Sequence, residues 1–319
     1  MSRIGLIDVD NMDRLDECYP NLALMKLSAW HKEQGDTVEW YEFFNGERYD
    51  KVYASKVFSF SDDYPFHINS ESVQKGGTGY CISLKDDHEV FDTEKHKDLP
   101  WEVEHIYPDY DLYGITDTAY GFMSRGCPRG CGFCHVKDKE GLCSTKVADL
   151  DEFWNGQKKI ELCDPNTLAC RDWKDILQQL IDSKAKVDFN QGVDIRMMTE
   201  EKAAMLRQIR VKHIHFAYDR YQDKAIIEPK LRTFKDVTNW GRNKISVYVL
   251  VGYDTTMEEN LDRIYFLRSL DFNPYVMIYN KENLPRGHEL KKPQRWCNNK
   301  MIFWKCPTWE EYMEVWRYK

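Results

Sequence analysis

Three cysteines stand close together in the segment Arg125-Gly126-Cys127-Pro128-Arg129-Gly130-Cys131-Gly132-Phe133-Cys134. The Cys-x3-Cys-x2-Cys spacing puts three thiols on one short loop, which its glycines keep free of bulk. Thiolates are soft donors that select zinc or iron–sulfur centres. Structural zinc is normally four-coordinate, so on that reading the triad would need His135 or a distant cysteine to complete it. An iron–sulfur cube held by three cysteines instead leaves one iron open to another ligand. That vacancy is what gives the triad chemical interest.

Chemistry on a loop depends on the elements that hold it. From residue 119 onward, six runs rich in β-branched and aromatic residues read as short strands: 119–123, 159–163, 187–191, 213–218, 245–252 and 274–279. Helical patterns separate them at 149–155, 172–184, 199–210, 223–240 and 257–270, with Thr199 and Glu201 as cap chemistry. Alternating strands and helices imply a parallel sheet, either doubly wound or curled into a partial barrel. In both cases reactive groups gather at the C-terminal strand ends, and the cysteine loop follows the first strand of the series. Upstream, 3–9, 37–41 and 51–58 read as strands and 21–34 as a helix opened by Pro20. The stretch 59–111 is loop-rich, and 107–113, with its Pro and Asp residues, reads as a linker.

Composition bounds the function classes. A chain of 319 residues with 42% apolar content folds into about two domains. Lys plus Arg total 45 against 53 Asp plus Glu, a net charge of −8, which argues against a broad nucleic-acid surface. The longest apolar stretch, 245–253, is too short for a bilayer, and Asp8 and Asp10 stand where a signal peptide would be apolar, so the reading is cytoplasmic. Ten cysteines are too sparse for a disulfide scaffold, and clustered thiols in a reducing compartment bind metal or react.

The triad, Phe133 before its last cysteine and the six-unit series together resemble the radical S-adenosylmethionine (SAM) superfamily over residues 115–285. The resemblance implies an α/β fold, a partial (β/α)6 barrel preceded by a small Rossmann-like domain. It divides the chain into 1–110, 111–285 and a C-terminal tail 286–319. It further implies a [4Fe-4S] cluster on Cys127, Cys131 and Cys134, with SAM on the open iron, cleaved reductively to a 5′-deoxyadenosyl radical that abstracts hydrogen from a substrate the sequence does not identify. An electron donor such as flavodoxin or ferredoxin follows as partner. Asp164 and Asn166 then stand where relatives receive the SAM amino group, although a turn capping the next helix explains them equally. Gln191, Arg196 and Asp219 occupy ribose- and carboxylate-contact positions, or serve as salt-bridge partners. Gly252 would let backbone approach the adenine.

Residues 1–110 are similar, more loosely, to the layer preceding the barrel in cobalamin-binding members, with the 76–80 glycine loop among the carriers. An Asp-x-His-x-x-Gly element is absent; the nearest string begins at Asp86, and a corrin would have to be held by shape. A cobalamin-assisted methylase is thus one alternative, and a non-catalytic zinc- or cluster-binding module another. The tRNA methylthiotransferases of the superfamily carry three further cysteines upstream, whereas here only Cys18 and Cys81 precede the triad. Cys297 and Cys306 read as buried thiols before an auxiliary site, and the aromatic tail from Trp296 to Trp316 as packing. The acidic string Asp8, Asp10, Asp13, Asp16 lacks the glycine and closing Glu of a calcium loop, which leaves Asp8 and Asp10 as candidate substrate contacts.

Overall fold

The computed structural model describes residues 1–12, 19–85 and 88–317. The candidates Asp13, Asp16, Cys18 and Asp86 lie outside the described residues, as does the side chain of Trp316. The chain forms two compact units, one of residues 1–121, 128–142 and 148–160, the other of 122–127, 143–147 and 161–319. The sequence reading instead divided the chain at 110 and 285.

The first unit is built on strand β1 (Arg3–Asp8), helix α1 (Leu22–Glu33), and strands β2 (Thr37–Trp40), β3 (Tyr49–Ser55) and β4 (Ser70–Gly76). These make a four-stranded sheet in the order β2-β1-β3-β4, parallel throughout. Four central residues of β1 are apolar or glycine and buried, as a strand covered on both faces requires. Ile4 and Leu6 pack with Leu24 and Leu27 of α1, while Ile7 packs with Tyr49 and Val52. The Asn21 side chain caps α1 by accepting from Leu24 N–H and donates at 2.8 Å to Ser55 Oγ at the end of β3.

After β4 come α2 (Thr78–Cys81), the antiparallel hairpin β5 (Ile82–Lys85) and β6 (His88–Phe91), α3 (Trp101–Glu104) and β7 (Thr118–Gly121). The 76–80 glycine loop is a tight turn: at Gly77, φ is +98° and a Cβ would lie 2.3 Å from Lys56 O, so no other residue fits. Residues 107–113 are not a linker. Tyr110 is buried, its hydroxyl donates to Phe153 O at 2.7 Å, and Asp109 accepts from Ser28 Oγ at 2.5 Å.

Strands β8 (Ser124–Arg125) and β9 (Thr145–Lys146) pair antiparallel on either side of the cysteine segment and helix α4 (Val136–Glu140). Strand β10 (Lys159–Leu162) follows, then α5 (Trp173–Ser183), β11 (Lys186–Val193), α6 (Glu200–Gln208), β12 (Arg210–Ala217), α7 (Lys224–Thr238), β13 (Ile245–Val251), α8 (Met257–Ser269) and β14 (Asn273–Ile278). The sheet order β14-β13-β12-β11-β10-β7 is strictly sequential, and β11 through β14 run parallel. All six strands expected downstream of residue 119 are present. The expected helix at 149–155 is a single 3₁₀ turn, Leu150–Glu152, although the Asp149–Glu152 capping box is formed.

The sheet has unlike faces because side chains alternate along each strand. Val187, Phe189, Ile214, Phe216, Val247 and Val249 are buried on one face, where Phe234 of α7 meets Phe216 edge-on. The opposite face carries polar residues. The chain ends in α9 (Lys291–Asn298), α10 (Lys300–Lys305) and α11 (Trp309–Arg317), whose Trp296, Phe303 and Tyr312 are buried together; the tail aromatics pack. No helix among the described residues is long and apolar enough to cross a membrane.

Trp296 is fully buried, its indole N–H donating to Cys306 O at 3.1 Å. Replacing it with Ala is expected to destabilise the protein by about 3–5 kcal/mol in urea unfolding followed by circular dichroism.

Candidate functional site

The cysteine loop is clamped at its base. The β8–β9 ladder closes it, and Val147 N–H donates to Met123 O at 2.8 Å. Beneath lies Asp164, just beyond β10 and almost fully buried. Its carboxylate accepts from Met123 N–H at 2.7 Å, Ser124 N–H at 2.8 Å, Ser124 Oγ at 2.5 Å and Thr167 Oγ1 at 3.2 Å. One donor reaches Oδ1 and three reach Oδ2, all from the loop base and the turn after β10. Asp164 is therefore the anchor of the loop rather than an open acceptor for an amino group. Burial pushes its carboxyl up to about 6, against the pull of those same donors.

Asn166 sits two residues on, 1% exposed. Its Nδ2 donates to Cys127 Sγ at 3.3 Å, while Oδ1 is buried with no hydrogen-bond partner. A buried carbonyl without a donor is costly, and this one lies on the amide that touches the first cysteine of the triad. Cys127, Cys131 and Cys134 are in no disulfide and are partly exposed. Phe133 is half-buried.

Among the described residues, no three His, Cys, Asp or Glu side chains stand together as a ready-made metal site. The fit of an iron–sulfur cluster rests on the donor set, three cysteines outside any disulfide on one loop, with an amide N–H already on the Cys127 sulfur. Cys297 is fully buried and its thiol is pushed up by burial, as a packing residue would be.

The loop ends of the other strands are pinned by cations from the surrounding helices. Arg263 of α8 is fully buried and donates to the carbonyls of Tyr218 (2.6 Å), Asp219 (2.7 Å) and Leu250 (2.9 Å), joining the ends of β12 and β13. Lys202 of α6 donates to Leu168 O at 2.9 Å and Met197 O at 3.1 Å, which ties the loops after β10 and β11. Sequence reading missed both, because Lys and Arg on a helix look like its solvated face.

The remaining candidates divide. Asp219 accepts from Leu250 N–H at 3.1 Å through one oxygen, and burial pushes it up to about 6. Arg196 is committed to Asp194 and Asp223, each at 2.8 Å; these outweigh burial and hold the guanidinium firmly protonated. Gln191 is exposed on an irregular stretch of β11. At Gly252 φ is +82° and a Cβ would lie 2.7 Å from Leu290 Cδ1, so the backbone there admits no side chain without strain. Of the N-terminal candidates, Asp8 accepts from Tyr113 OH at 2.6 Å while its Oδ1 is buried without a hydrogen-bond partner, and Asp10 accepts from Val57 N–H at 2.6 Å.

A second cluster was not anticipated. On the polar face of the sheet, the buried Asp188 accepts from His213 Nδ1 at 3.1 Å and pairs with Lys212 at 3.2 Å, with His215 Nε2 3.9 Å away. Asp188 Oδ1 and His215 Nδ1 are buried without hydrogen-bond partners. The His215 ring stacks on Tyr248 at 5.2 Å, and burial lowers its proton affinity. The signal was the period-two polar pattern in β11 and β12, hidden among apolar neighbours.

No family model and no curated protein matches the chain. Among solved structures, it is similar to the radical S-adenosylmethionine methyltransferase TsrM of Kitasatospora setae, a structure with cobalamin and a [4Fe-4S] cluster bound. The TM-score is 0.61 at 13% identity, covering 87% of this chain and 75% of that one. The architecture is thus a radical-SAM-like α/β fold with parallel sheets.

Two outcomes follow. Arg263→Leu leaves three buried carbonyls without donors and is expected to cost about 3 kcal/mol in urea unfolding. Asp164 and Asp219 bind protons more tightly folded than unfolded, since both are raised from 3.8 to about 6. Their contribution to stability is complete below pH 3.8 and is lost as pH rises through about 6. Between pH 4 and 7 the wild-type unfolding free energy should therefore fall relative to Asp164→Asn by about 2–3 kcal/mol; parallel curves would refute the assignment.

Proposed function

We propose that this protein is a radical SAM enzyme whose Cys127, Cys131 and Cys134 hold a [4Fe-4S] cluster. The observation that carries the reading is the placement of the triad segment. It follows β7, between the paired strands β8 and β9, over a buried carboxylate that fixes its first residues, in a fold of the radical-SAM kind. When bound and reduced, such a cluster supplies an electron to the sulfonium of SAM, giving methionine and a 5′-deoxyadenosyl radical.

The chain's own residues then have separable tasks. Asp164 keeps the loop entry rigid. Asn166 holds the Cys127 sulfur with its N–H and offers Oδ1 to a donor, a role an ammonium group fills. Asp219 has one oxygen engaged by Leu250 and one for ribose hydroxyls, and Gly252 lets Leu290 pack directly on the backbone at the end of β13. Arg196, tied to two carboxylates, shapes the end of β11, and Phe133, half-buried, precedes the last cysteine. Gln191, exposed near the same strand end, is free to meet the ligand. A small iron–sulfur or flavin electron carrier is the expected reductant, and a cytoplasmic location the expected setting.

A cobalamin-assisted methylase is a second reading, favoured by the four-stranded parallel sheet of the first unit and the cobalamin in TsrM. The buried His31 is engaged at both nitrogens, by Asp36 at 2.8 Å and Tyr53 at 3.0 Å, so it is not placed to ligate cobalt. No step is derived through the corrin.

Protein purified without oxygen and reconstituted should carry roughly four irons per chain and, once reduced, release 5′-deoxyadenosine from SAM. Single Cys→Ala changes at Cys127, Cys131 or Cys134 should abolish both. Colourless protein with stoichiometric zinc would support a binding module instead, and bound cobalt the methylase.

A further inference from the structure

The side-chain amide of Asn166 has two unlike ends. Nδ2 donates to Cys127 Sγ at 3.3 Å, whereas Oδ1 is buried with no hydrogen-bond partner. At 1% exposure the side chain lies out of water, where polar contacts are little screened. The turn that carries the amide is fixed. Its backbone carbonyl accepts from Ser144 Oγ at 3.0 Å and from Ala169 N–H at 3.2 Å, and the neighbouring Thr167 hydroxyl donates to Asp164 at 3.2 Å.

A hydrogen bond to a ligating sulfur has a definite electrical effect. On reduction a [4Fe-4S] cluster passes from the 2+ to the 1+ state by taking one electron from the external carrier, with no bond broken and no proton moved. The cluster and its thiolates become more negative by that one charge. An N–H aimed at a ligating sulfur stabilises the more negative form more, so it raises the reduction potential. How strongly it does so depends on what Oδ1 holds. A donor there draws amide electron density toward oxygen and leaves the nitrogen end more positive, because hydrogen bonds joined through one polarisable group reinforce each other. A charged donor such as an ammonium has the larger effect.

We propose that the Asn166 amide couples SAM binding to the reduction potential of the cluster. An ammonium donor at Oδ1 strengthens the Nδ2–H···Sγ bond to Cys127, and the cluster accepts its electron more readily with SAM in place. Without a donor at Oδ1 it is harder to reduce. This rests on the enzyme reading and adds to it an order of events, ligand before electron.

The test is a redox titration of the reconstituted full-length protein, followed by electron paramagnetic resonance with and without SAM. Asn166→Ala removes the amide, and Asn166→Asp keeps its shape while exchanging the N–H for a carboxylate oxygen. The wild-type midpoint potential should rise on adding SAM. In the absence of SAM it should be lower in Asn166→Ala, equivalent to about tenfold in the reduction equilibrium constant, and lower again in Asn166→Asp. The rise with SAM should be largely lost in both, with circular dichroism and iron content showing them folded and loaded. A second readout needs no variant: in wild-type protein carrying ¹⁵N-asparagine, pulsed resonance should find one side-chain nitrogen coupled to the reduced cluster, more strongly with unlabelled SAM. Unchanged potentials in loaded variants, an equal SAM response in all three proteins, or no asparagine coupling would each overturn the proposal. A cluster that forms and cleaves SAM while these fail leaves the enzyme reading standing; a chain that holds no cluster overturns both.

Discussion

A buried carboxylate sets the terms for the rest of the site. Asp164 stands at the loop end of β10 and gathers two backbone N–H groups and a hydroxyl from Met123 and Ser124, forty residues earlier in the chain. A carboxylate in that position is tolerable because both of its oxygens accept hydrogen bonds. In return the chain leaving β7 has a fixed direction where the cysteine segment begins. Asn166, on the same turn, meets the first cysteine from the side. Loop geometry, and with it the ability of flexible glycine-rich backbone to present thiols to one centre, depends on this clamp.

The same device recurs along the sheet in opposite sign. Carbonyls at the loop ends of β12 and β13 converge on Arg263, and those after β10 and β11 on Lys202, both reaching inward from the helices. Backbone groups that a strand end leaves unpaired are thus satisfied by the scaffold, and the loops above are held to it. The opposite consequence is seen on the polar face of the sheet, where Asp188 and His215 keep unsatisfied atoms in a buried setting. Buried polar groups without partners are uncommon in folded proteins, and these two stand side by side.

Much of the frame was legible in the sequence. The six downstream strands are short β-branched runs, and two of the helices between them, α6 and α8, carry side-chain caps, as at Thr199, whose side chain accepts from Lys202 N–H. What was not legible had physical reasons. Strand β4, Ser-Glu-Ser-Val-Gln-Lys-Gly, is an edge strand with most residues exposed, so it lacks the apolar alternation that marks a strand. The 149–155 segment has a true helix-start signal, but the chain turns after one 3₁₀ turn. Residues 107–113 read as a linker from their Pro and Asp content, yet Tyr110 is tied inside the first unit. The triad was evident from spacing alone. The roles of Asp164 and Arg263 were not, since each is defined by partners distant in sequence, and a carboxylate beside a proline reads equally as a turn or a ligand.

The central claim is that three protein sulfurs hold a cube whose remaining corner is open to SAM. Electron paramagnetic resonance of the reduced, cluster-loaded protein, recorded with and without SAM, tests this most directly. The account predicts a [4Fe-4S]⁺ signal whose shape changes on adding SAM, and a weakened change in Asn166→Ala. A signal indifferent to SAM, or a cluster with four protein ligands, would contradict it.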